Sequence, residues 1–242
     1  MTKHSAPANS ASTQATHPRT RIAFSLLLVM VFLAGAASLL YEVLWVRQLG
    51  LSFGSTAVAS SVMLSAFLGG LALGSWFAGR KADSIASPLR ALAWLEVGAA
   101  VVGALSVPAL AYAGRAYLLV EAATGGGAVE SLLLRSVFSL LVMLVPATIF
   151  GATFPLATTA AGRMVGIDVA AGGVSAASAF GSAAGAAATG LFLEPAIGLS
   201  GSALVGAGLN VVAALIGYSV YRVLVAPLAA TVPSAVHGGT AG

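Results

Sequence analysis

The sequence predicts an all-α, polytopic transmembrane bundle of about six helices with both termini cytoplasmic, and three observations lead there. Charged residues make up 7% of the chain and hydrophobic residues 59%, with a mean hydropathy of +0.99, whereas soluble domains are roughly 25% charged. Uncharged apolar runs have spanning length. Ile22 to Tyr41 holds 20 residues and Gln48 to Gly79 holds 32, and about 20 helical residues at ~1.5 Å rise cross a ~30 Å hydrocarbon layer. Finally, Lys3, Arg19, Arg21, Arg80, Lys81, Arg90, Arg163 and Arg222 fall on one side of the expected spans, against Arg47, Arg115 and Arg135 on the other. The more basic side stays in the cytoplasm.

The expected layout is a disordered cytoplasmic tail over 1–20, a membrane domain over 21–226 and a disordered tail over 227–242. The first tail is rich in Ser, Thr and Ala without apolar pattern. Ala34-Gly35-Ala36 resembles a signal-peptidase site, but the apolar run is longer than the ~7–15 residues of a signal core. Six spans and their loops use nearly all 242 residues, which leaves no length for a soluble catalytic domain of ~100 residues. The chain has no cysteine, and His4, His17 and His237 all lie in the tails. Thiolate chemistry and an imidazole site in the bundle are therefore excluded. No catalytic, cofactor-binding or metal-ligating residue is assigned, and no cofactor is expected. The net charge of +4 comes from residues flanking apolar runs, so nucleic acid is not an expected partner.

The second span, about 54–78, carries Gly70 and Gly74 four apart, a flat face that lets a neighbouring backbone approach. A basic turn from Gly79 to Arg90 leads to the third span, about 92–112. Glu96 is then about 8 Å inside that span. It is expected either to pair with Arg80, Lys81 or Arg90 at the inner leaflet, or to form a proton or cation site. Gly114 to Leu134 reads as an interfacial helix with a glycine break at Gly125-Gly126-Gly127. The fourth span, about 136–158, contains Pro146 and Pro155 and is expected to be kinked or broken. The fifth, about 174–193, has Ala177, Gly181 and Gly185 at four-residue spacing and is expected at the bundle centre, with Glu194-Pro195 ending it. The sixth, about 202–221, carries Asn210 near its middle, suited to an interhelical hydrogen bond.

With this orientation Glu42, Arg47, Arg135 and Glu194 all fall near the outer leaflet. Two acids facing two bases neutralise one another, and unpaired they would cost several kcal/mol each. An outer polar cluster is expected, and Glu96, in the opposite leaflet, should not touch Glu42.

The segment Leu39-Leu40-Tyr41-Glu42-Val43-Leu44-Trp45-Val46-Arg47, with Phe53-Gly54-Ser55-Thr56, Phe67-Leu68-Gly69-Gly70-Leu71-Ala72-Leu73-Gly74-Ser75 and Pro146-Ala147-Thr148-Ile149-Phe150-Gly151-Ala152-Thr153-Phe154-Pro155-Leu156, resembles the membrane domain of bacterial fused major-facilitator/spermidine-synthase-like proteins. The likeness runs from about Phe32 to Tyr218. It implies a half-major-facilitator-like bundle in a bacterial inner membrane. Members of that family continue into a cytosolic aminopropyltransferase-like domain, but no strand-glycine-helix nucleotide fingerprint occurs here. The fifth helix also departs from the family, with Ser178 or Ser182 where an asparagine is common. Halves of such transporters are built from repeated three-helix units. Ser65-Ala66-Phe67 in span two and Ser178-Ala179-Phe180 in span five are a short echo of that repeat.

These features lead to three functional expectations. The first is a non-enzymatic integral membrane subunit or anchor, its small-residue faces meeting another membrane protein or a second copy. The second is a small homodimeric, ion-coupled carrier using Glu42, Glu96 or Glu194. The third is the membrane half of a split synthase-like enzyme.

Overall fold

The computed structural model describes residues 18–53, 57–125 and 127–225. They form α1 (Pro18–Phe53), α2 (Ala57–Ala82), α3 (Pro88–Thr124), α4 (Ala128–Val165), α5 (Ile167–Ala188), a π-helical turn (Thr189–Leu193), α6 (Glu194–Val220) and a second π-helical turn (Tyr221–Val225). Among the described residues there is no strand. Four stretches are long and apolar enough to cross a membrane: Pro18–Leu51, Pro88–Ala116, Leu140–Val165 and Ile167–Val223. Met1 to His17 and the tail from Ala226 lie outside the described residues, whereas Pro18 to Thr20 already belong to α1.

Glycines mark three of the turns. Gly125, Gly166 and Gly198 have positive φ (61°, 86° and 71°) and sit at the α3–α4 turn, the α4–α5 turn and early in α6. Side chains bearing a Cβ disfavour that region. Gly198, with ψ −178°, is where the backbone leaves helical angles inside the 57-residue apolar stretch. Before it, Gly181 and Gly185 lie on Phe32 and Ala36, so α5 runs parallel to α1. After it, Gly206 and Gly217 lie on Tyr41 and Met30, so α6 runs antiparallel.

Several expectations change. The segment from Gly114 to Leu134 is no separate interfacial helix: it continues α3 to Thr124 and opens α4 from Ala128. Glu194-Pro195 does not end the helical run: the backbone is helical on both sides of it, Glu194 N–H donating to the carbonyl of Thr189, and leaves helical angles only at Gly198. The central helix is α1, which touches every other helix. By contrast, α5 buries only Ala170, Val174, Gly181 and Gly185.

α4 also runs unbroken through both prolines. Pro155 has no N–H for the carbonyl of Gly151, four residues earlier, and the hydroxyl of Ser75 on α2 donates to that carbonyl at 2.8 Å instead. A neighbouring helix thus restores the bond that proline removes.

The packing repeats. Gly74 of α2 lies on Thr148 of α4 as Gly181 of α5 lies on Phe32 of α1. Ser75 donates to the carbonyl of Gly151, and Ser182 to that of Gly35 at 3.3 Å. The α3–α4 contact has its counterpart in α6–α1. The first three helices and the last three therefore form two similar units of opposite direction, the arrangement of an inverted repeat. The expected echo of Ser65 with Ser178 is out of register: the structure matches Ser75 with Ser182, which sets Ser178 level with Leu71.

Candidate functional site

A cavity of about 240 Å³ lies where the α1–α5 and α2–α4 seams meet, with Glu96 of α3 at its back. Its α1 wall runs from Val31 to Leu39, the middle of a 36-residue helix. Glu96 is thus level with the middle of α1. It is 1% exposed, and its side-chain hydrogen bond comes from the hydroxyl of Thr153 at 3.4 Å, a long contact by usual standards.

None of the three basic residues expected beside Glu96 reaches it. Arg80 lies over the Trp76 ring at 4.3 Å and Arg90 over Tyr221 at 5.7 Å. Both side chains are exposed, and a step of six positions along the helix from Arg90 to Glu96 separates them by about 9 Å of rise. Long basic side chains extend toward the interface and rest on aromatic faces there. Lys81 is exposed at the end of α2. The loop between α2 and α3 is instead braced by Arg163, whose guanidinium donates to the carbonyls of Asp83 and Ala86 at 3.0 and 3.2 Å.

Hydroxyls of Ser38, Ser75, Thr153, Ser178 and Ser182 share the cavity with Glu96, and Phe67 and Phe150 form part of its wall. Toward the C-terminal end of α1, Tyr41, Trp45, Phe67 and Phe150 pack ring against ring at 5.6–6.1 Å. Both polar tips in this cluster are satisfied. Trp45 Nε1 donates to Ser106 Oγ at 2.7 Å, and the Tyr41 hydroxyl to the carbonyl of Ala203 at 3.3 Å. Gly103 and Gly206 leave room for the Tyr41 ring, which a Cβ at either would strike.

Farther out, Arg47 Nε donates to Glu194 Oε1 at 2.8 Å, which joins α1 to the start of α6. Glu42 is half-buried on α1, and the side chain of Arg135 lies outside the described residues. The structure thus brings together one acid and one base of the four.

The glycine faces are mated inside the chain. Gly70 and Gly74 meet Ala147, Thr148 and Ala152, while Gly181 and Gly185 meet Phe32 and Ala36. Ala177 packs beside the apolar cluster around Leu27, Met30 and Leu92. Asn210 is fully buried, and neither side-chain atom has a hydrogen-bond partner. The interhelical bond expected for it is absent.

The repeat explains where Asn210 sits. Thr153, the partner of Glu96, corresponds on α1 to Ala37. Counting back along α6 from the Met30–Gly217 and Tyr41–Gly206 contacts, the α6 residue level with Ala37 is Asn210. Glu96 and Asn210 therefore hold equivalent places in the two units. Sequence reasoning singled out both but missed their correspondence, and it missed Ser75 and Thr153. The proline four residues after Gly151 was the available signal for Ser75. The chain matches no known protein family, no curated protein and no solved structure.

Proposed function

We propose that this chain is a multi-pass protein of a bacterial inner membrane, crossing six times with both ends cytoplasmic, and that it is a carrier for a small cation. One observation carries the proposal: a fully buried carboxylate, without a basic partner among the described residues, faces a hydroxyl-lined cavity at mid-helix. An ionisable group so placed in a membrane bundle usually marks an ion pathway. The inverted relation of the two three-helix units supports the same reading, because carriers of this build hold their sites where the repeats meet. The resemblance to half of a major-facilitator bundle agrees with it. So does the excess of basic residues on one side.

The anchoring-subunit reading drew on small-residue faces awaiting a partner, and those faces are occupied within the chain. It retains one favourable observation, an open groove beside Gly69, Leu73 and Trp76 on α2. Proteoliposomes with trapped proton- and sodium-sensitive dyes test the carrier. The wild type should dissipate an imposed cation gradient, Glu96→Gln should not, and Arg47→Gln should do so normally. Equal leak from empty and loaded vesicles would reject the carrier, and a foreign membrane protein copurifying in mild detergent would then favour the anchor.

A further inference from the structure

We infer that the central cavity is a binding site for a dehydrated or partly hydrated monovalent metal cation of the sodium class, ligated by Glu96 and the hydroxyl oxygens around it. The inference rests on the carrier reading and adds the identity of the ion.

The direction of the hydrogen bonds carries it. Ser75 and Ser182 already donate to the carbonyls of Gly151 and Gly35, and Thr153 donates to Glu96. With those hydrogens engaged, what the three hydroxyls leave for an occupant is oxygen lone pairs. Ser38 and Ser178 add two more hydroxyls to the lining. No lining residue bears a basic group. A cavity built mainly of acceptors selects a cation, and carboxylate with hydroxyl oxygen suits hard ions.

Charge and size narrow the class. Glu96 is the one carboxylate lining the cavity, so a single positive charge balances it, whereas a divalent ion would leave a net charge in an apolar bundle. A volume of about 240 Å³ compares with about 30 Å³ per water in the liquid, enough for an ion and several waters. The two serines come from the two seams of the repeat, so an ion held between them would touch both units. That places it where relative motion of the units changes its coordination.

Equilibrium binding of radioactive sodium to the purified protein in detergent tests this. The wild type should bind saturably, with displacement by unlabelled sodium but not by choline at equal ionic strength. Glu96→Gln should abolish binding, and Thr153→Val, which keeps the carboxylate and the shape, should weaken it at least tenfold. Unchanged binding in both variants would overturn the site. If the wild type shows no saturable sodium binding while proteoliposomes still pass protons in a Glu96-dependent way, the ion assignment fails and the carrier stands. If neither occurs, both fall.

Discussion

The unit α1–α3 and the unit α4–α6 pack alike yet differ in polarity at one equivalent place. On α3 it is Glu96, against Thr153 and a polar cavity; on α6 it is Asn210, buried without a partner. The two serine bonds differ as well. Gly151 needs Ser75 because Pro155 follows it by four, whereas Gly35 is followed at that spacing by Leu39, which keeps its N–H. The same scaffold thus places a carboxylate against a hydroxyl in one unit and an unpartnered amide at the equivalent place in the other. Backbone repetition alone does not make a site: the side chain and its surroundings must change together.

The largest expected effect sharpens the contrast between Glu96 and Asn210. At sodium one hundred times its dissociation constant, binding to the folded state alone adds about 2.7 kcal/mol, read as a rise in melting temperature over choline. Glu96→Gln should erase that rise and Asn210→Leu should preserve it. A loss in Asn210→Leu would show that Asn210 itself belongs to the site.

Next in size is the pair of serines. Ser75→Ala leaves the Gly151 carbonyl without a donor and should cost about 1–2 kcal/mol, while Ser182→Ala should cost about 0.6 kcal/mol or less. In a Pro155→Ala background, where residue 155 regains its N–H, the Ser75→Ala penalty should shrink. Equal penalties for the two serines in reversible unfolding would break the distinction.

Asn210→Leu should itself stabilise by about 1 kcal/mol, since an apolar side chain of similar size removes two unsatisfied polar atoms. Destabilisation would mean that Asn210 has a partner, such as a buried water. Smallest is Arg47→Gln. Arg47 is 62% exposed in its ion pair with Glu194, so breaking the pair should cost about 0–1 kcal/mol and less in high salt.

Much of the fold was legible from periodic apolar length and glycine spacing. Gly70, Gly74, Gly181 and Gly185 were readable as close-packing positions, but their partners were not, because a small-residue face fits many helices. Arg47 with Glu194 was readable as opposite charge on one side. Glu96 was legible as a candidate for an ion pair or a proton or cation site, but which neighbours it meets was not, because sequence reports distance along one helix and not the offset of its neighbours. Pro155 was legible as a defect, but its repair by Ser75 depends on a helix some 80 residues away in sequence.

By itself, the sequence determined that the chain is helical, apolar enough for lipid, free of thiol and imidazole chemistry in the bundle, and sparing in charge. Those properties follow from composition and local period, which need no knowledge of neighbours. Only the tertiary structure decided that α1 is the hub, that the two units are inverted copies, and that Glu96 opens on hydroxyls while Asn210 does not. Which polar group finds a partner depends on the level and rotation at which separate helices meet, and no single helix encodes that.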